Sequence, residues 1–131
     1  YAFAAKRGVD VEIYHAVVPD KALVHMTTRS GYQELVEAGI RIYEYTPGFI
    51  HSKTVVCDDQ VATVGTINFD FRSLYLHFEC GVWMYRTKAM KQVKADFWKH
   101  CKAAGRSLWR TAKGCRYTAG CSGACSACFL R

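Results

Sequence analysis

Two strand-forming runs, Phe49 to Cys57 and Val61 to Val64, are separated only by Asp58-Asp59-Gln60. A polar spacer that short leaves room for a hairpin turn, so the two runs are expected to lie side by side as antiparallel strands. An isolated hairpin is not stable in water, and the rest of the chain has to supply partner strands and covering helices.

The flanking segments are of the right kind. Tyr1 to Arg7 reads as the end of a helix stopped by Gly8, and Val9 to Tyr14 alternates as a strand does. Residues 21–38 carry Leu23, Tyr32, Leu35 and Val36 as buried candidates, with Gly39 as the stop and Arg29-Ser30-Gly31 as a possible break. Ile40 to Tyr45 is a second strand, Pro47-Gly48 is a turn, and Gly81 to Tyr85 is a further strand. Met90, Val93, Phe97 and Cys101 recur at helical spacing within 87–103. The order implies an α/β fold, with a mixed sheet flanked by helices.

Composition divides the 131 residues in two. Residues 1–96 hold 11 basic and 11 acidic side chains, whereas 97–131 hold seven basic and no acidic ones, so the whole net charge of +7 belongs to the tail. A neutral body argues against nucleic acid as a partner, because binding a polyanion calls for several cations on one face. Five of the seven cysteines also crowd the last 31 residues. Cys115, Cys121, Cys125 and Cys128 lack the two separated ligand pairs of a structural zinc site, and no metal is expected. Residues 1–103 are therefore expected to form one domain. Residues 104–131 are expected to be a disordered extension, or a terminus read in a shifted frame. The sequence has no apolar run of membrane-spanning length and no signal leader, and since it opens on Tyr1 it is expected to be a piece of a longer chain.

In a strand, residues two apart share a face, so His51 and Lys53 are expected to project together. Thr66 and Asn68 would do the same beyond Gly65, where the missing side chain lets backbone approach closely. An imidazole, an ammonium, a hydroxyl and an amide suit a phosphoryl group: one attacks phosphorus or moves a proton, and the others hold the oxygens. A carboxylate is needed to orient the imidazole, and Glu79 is the first choice over Asp70 and Asp58. His15, His25, His77 and His100 have no such partner set and are read as surface or satisfied histidines. Arg72 is either a headgroup contact or the partner of Asp70 or Glu79.

His51, Lys53, Asp58, Gly65, Thr66 and Asn68 match, position for position, the His-x-Lys-x4-Asp-x6-Gly-(Ser/Thr)-x-Asn motif of the phospholipase D superfamily, with Glu79 where that superfamily carries its acid. Arg7 to Val11, Gly39 to Tyr45, Pro47-Gly48-Phe49 and Asn68 to Leu74 further resemble the C-terminal catalytic half of bacterial cardiolipin synthases. The resemblance covers about residues 1–100. It implies a phospholipase D-like fold and a phosphatidyltransferase that joins two phosphatidylglycerols into cardiolipin and glycerol through a phosphohistidine. His51 would be the nucleophile or the general acid, Lys53, Thr66 and Asn68 would bind the phosphate, Glu79 would orient His51, and Asp58 would hold the hairpin. No cofactor or metal is implied, since Lys and His supply the charge. The partners implied are a phospholipid, a membrane surface and a second copy of the motif, from the missing half or a homodimer mate. The implied location is the bacterial cytoplasmic membrane, as part of the full-length enzyme. A homodimeric phosphodiesterase, nuclease or phospholipase, or an inactive half, are the alternatives. Thr66 in place of the commoner Ser, His77 for an amide, Cys57 for an aliphatic residue, and the tail depart from the synthase pattern.

Overall fold

The computed structural model describes residues 1–18, 22–106 and 127–130. In chain order the elements are α1 (Ala2–Lys6), β1 (Val11–Ala16), α2 (Ala22–Ser30), α3 (Tyr32–Glu37), β2 (Arg41–Tyr45), β3 (Lys53–Cys57), β4 (Val61–Gly65), α4 (Phe71–Tyr75), β5 (Gly81–Tyr85), α5 (Met90–Ala103), β6 (Ala104–Arg106) and β7 (Ala127–Leu130). The strands form one mixed sheet in the order β5-β4-β3-β7-β1-β2-β6. β1 and β2 run parallel because a helical crossover joins them, whereas β3, β4 and β5 form an antiparallel meander. This is the expected α/β class.

The break foreseen at Arg29-Ser30-Gly31 is present, since α2 ends at Ser30 and α3 begins after Gly31. Leu23 was expected inside but is 78% exposed. All six residues of β1 are buried, where simple alternation predicted one wet face. A central strand covered on both faces has no exposed side.

The two faces of the sheet carry separate cores. Val11, Ile13, Tyr32, Ile40 and Ile42 pack with Ala4, Ala5, Leu35 and Val36 of α1 and α3. On the other face, Tyr14, Val56, Ala62, Met90, Phe97 and Cys101 pack beneath α5. Glu12, buried in β1, accepts hydrogen bonds from Tyr14 Oη at 2.9 Å and Arg41 Nη2 at 2.7 Å. Those partners compensate its desolvation. Burial pushes the Cys101 thiol up to about 12, which leaves it unreactive at neutral pH. His15 is also buried, and its Nδ1 lies 2.8 Å from Tyr32 Oη, as a satisfied core histidine should.

Two short strands come from the segment expected to lack structure. β6 extends the β2 edge, and β7 lies between β3 and β1, antiparallel to β1 and parallel to β3. Residues 107–126, with three of the four clustered cysteines, lie outside the described residues. Among the described residues, no helix is long and apolar enough to cross a membrane.

Candidate active site

The meander sets the site. In register, Lys53 of β3 faces Gly65 of β4, which in turn faces Gly81 of β5. A Cβ on Gly65 would collide with the Cys80 carbonyl oxygen and lie 2.6 Å from Gly81 Cα. The glycine therefore lets β5 close against β4. That closure brings Thr66, just beyond β4, onto Glu79 and Cys80, just before β5. Thr66 N donates to Cys80 O at 2.9 Å, and Cys80 N donates to Thr66 Oγ1 at 3.0 Å.

β3 begins at Lys53, not Phe49, so strand alternation does not place His51 beside Lys53 as expected. A different contact joins them. Lys53 is 7% exposed, and its Nζ donates to the main-chain carbonyl of His51 at 2.8 Å. The His51 imidazole is exposed and stacks on Phe49, with ring centroids 5.7 Å apart. Burial lowers the Lys53 ammonium below its ordinary range, and the nearby Glu79 carboxylate partly restores it.

Glu79 accepts from the Thr66 hydroxyl through Oε2, while its Oε1 lies 3.3 Å from His77 Nδ1. The Thr66 hydrogen bond, the Ser73 hydroxyl and the neighbouring His77 and Lys53 hold its carboxyl below the usual range. Among the described residues no hydrogen bond joins Glu79 to His51, so the expected orienting contact is not made here. His77, read as a surface or satisfied histidine, shares this carboxylate, and the two-residue spacing to Glu79 was the available signal for the pairing. Ser73 was also missed, and its signal was Asp70 three residues earlier, which caps α4 by accepting from Ser73 N at 2.6 Å.

Asn68 lies half-buried in the connection from β4 to α4. Asp58 occupies the far end of β3, in the hairpin turn with φ 48°, beside Asp59 with φ 56°. It is remote from His51 along the strand, as suits a residue that shapes the turn. Arg72 is exposed, and among the described residues it pairs with neither Asp70 nor Glu79. No group of three His, Cys, Asp or Glu that could hold a metal occurs among the described residues.

Lys53, Thr66 and Glu79 thus gather at one strand end around a close glycine contact. The model of the family described as cardiolipin synthase, phospholipase D-like domain, matches residues 1–101. The chain belongs to that family. It is 48% identical over 104 residues to an uncharacterized protein of Streptococcus mutans serotype c, covering 79% of this chain and 23% of that one. It is 46% identical over 94 residues to a cardiolipin synthase of Halalkalibacterium halodurans, covering 72% and 19%. A cardiolipin synthase of Geobacillus sp. strain WCH70 is 45% identical over 101 residues, covering 77% and 20%. The chain thus spans about a fifth of the length of these relatives. No solved structure matches it.

Proposed function

We propose that this chain forms one half of a phosphatidyltransferase site of the cardiolipin synthase type. The observation that carries the reading is the Lys53-Gly65-Gly81 register, which gathers a buried ammonium, a hydroxyl and an ionised carboxylate at one strand end, with His51 tethered to the ammonium through its carbonyl.

In this reading an imidazole nitrogen of His51 attacks the phosphorus of phosphatidylglycerol. The bond to the glycerol oxygen breaks, and glycerol leaves with a proton from the histidine of a second motif. A hydroxyl of another phosphatidylglycerol then attacks the phosphatidyl-histidine, returns its proton to that second histidine, frees His51 and yields cardiolipin. If His51 is instead the proton carrier, the two histidines exchange parts. Lys53, Thr66 and Asn68 hold the phosphate oxygens, on which charge builds in the transition state. The chain carries one copy of the motif, so the second comes from the remainder of a longer enzyme or from a homodimer mate.

A lipid substrate fits the site's surroundings. Phe71, Leu74, Tyr75, Leu76 and Phe78 are all exposed between Asn68 and Glu79. So large an apolar surface beside a polar site marks a face that meets a lipid surface or the enzyme's other half.

The test is to incubate the chain with vesicles of labelled phosphatidylglycerol and separate the lipids. Cardiolipin with stoichiometric glycerol is expected once a homodimer mate or the rest of the longer enzyme supplies the second motif. Phosphatidate in its place would mean that water is the acceptor and the activity is that of a phospholipase.

A further inference from the structure

One carboxylate holds both Thr66 and His77. Glu79 accepts from the Thr66 hydroxyl through Oε2 and faces His77 Nδ1 at 3.3 Å through Oε1, and the same Nδ1 lies 3.1 Å from the Phe78 carbonyl oxygen. A carbonyl and an ionised carboxylate can only accept, so Nδ1 carries the proton. Nε2 is left as the free nitrogen of the ring. It has no hydrogen-bond partner among the described residues, and the side chain is 40% exposed.

Charge at this strand end nearly cancels. Lys53 brings a positive charge and Glu79 a negative one, close enough to act on each other, while Thr66 and Asn68 are neutral. A phosphodiester adds a further negative charge, and a second cation would favour its approach. His51 has to be neutral to attack phosphorus. Arg72 is exposed and has no ion pair to Glu79 among the described residues, whereas His77 is tied to that carboxylate.

We infer that His77 is a binding residue of this site, whose Nε2 donates, as the imidazolium, to an oxygen of a lipid phosphodiester while Glu79 fixes the ring through Nδ1. The inference deepens the proposed function and rests on its placing of the phosphate at the Lys53 end. The resemblance puts an amide at this position in the synthases, and an amide can donate but brings no charge. Lipid binding by this chain therefore weakens as rising pH removes the imidazolium. Glu79 is the charged group in contact with the ring, and Lys53 lies beyond it.

The test adds dihexanoyl phosphatidylglycerol, below its micelle concentration, to the whole chain and follows the ring nitrogens of His77 and His51 by NMR. His77 Nε2 is expected to move toward its protonated position, while dihexanoylglycerol, which lacks the phosphate, moves neither ring. His77→Gln keeps a donor without the charge. It is expected to bind the phospholipid about tenfold more weakly than the parent at about pH 5.5 and equally at about pH 8.5, as fits the loss of one charge-assisted hydrogen bond. An Nε2 that ignores the phospholipid, responds as much to dihexanoylglycerol, or responds to inorganic phosphate alone would overturn the proposal. So would equal affinities of parent and variant at the acid pH. A phospholipid that moves His51 but not His77 sinks this inference alone. A His77 response without His51-dependent lipid transfer sinks the functional reading alone, and a phospholipid that moves neither ring sinks both.

Discussion

Lys53 Nζ donates to the carbonyl oxygen of His51 at 2.8 Å, so the buried ammonium of β3 fixes the backbone of a residue two positions before the strand. The bond sets where the imidazole starts from, although His51 itself lies outside the sheet. It also gives Lys53 two tasks, charge and tether, and removing the ammonium abolishes both.

Lys53→Met keeps the stem and removes the charge. Transfer activity is expected to fall by about 10²- to 10³-fold, as it does when a stabilising donor is removed from a developing oxyanion. Stability at pH 7 should hold or rise, because burial disfavours the ammonium in the folded state. The sign of the pH dependence follows. The folded chain releases this proton before the unfolded one, so stability rises with pH between the lowered folded value and the ordinary 10.5. Denaturant unfolding across alkaline pH should show that slope in the parent and lack it in Lys53→Met.

Glu79 behaves in the opposite sense. Its folded pKa lies below the ordinary 4.5, so its contribution to stability is complete above that value and is lost as pH falls through the depressed one. Thr66→Val keeps the branched shape but removes the hydroxyl that bridges Glu79 and Cys80 N. The Glu79 titration is expected to move back toward the ordinary carboxylate range, and the acid-side loss of stability is expected to move up in pH with it. A Thr66→Val chain with an unmoved titration would mean that this hydroxyl does not govern the carboxylate.

The hairpin, the split helix at Gly31 and the helix at 87–103 were legible because turn residues and apolar spacing act locally. The motif residues were legible for the same reason, since their spacing spans one meander. What the sequence hid depends on distant neighbours. β7 has no periodicity of its own and owes its place to β3 and β1 on either side. α4 is five residues long with a single inward side chain, too short for a helical period to show. The start of β3 was placed four residues early, and with it the reason for pairing His51 with Lys53, because Phe49 to Ser52 have strand-like side chains but, among the described residues, no partner strand.

Gly65 and Gly81 face each other across β4 and β5, but they are not equivalent. A methyl at Gly65 meets backbone that cannot yield, whereas the nearest atom to one at Gly81 is Val64 O at 3.6 Å. Gly65→Ala is expected to cost about 3 kcal/mol and Gly81→Ala less than about 1 kcal/mol, read by denaturant unfolding. Equal costs would show that the close approach of β5 does not depend on Gly65.

Asp58 holds a left-handed backbone conformation at the hairpin. Asp58→Asn should therefore preserve stability, since Asn tolerates that region, and Asp58→Val should cost about 1–2 kcal/mol. Urea midpoints of the two variants check this. A destabilised Asn variant would indicate that the carboxylate, and not the turn geometry, is what matters there.

His51 is the residue on which the functional reading turns. Purified chain is mixed with phosphatidylglycerol carrying labelled phosphorus, quenched, and digested, and the label is traced along the chain and in the lipids, in parallel with His51→Ala. Acid-labile label on His51 or labelled cardiolipin is expected from the parent chain, with both absent from His51→Ala. Cardiolipin formed as fast by His51→Ala as by the parent would contradict it.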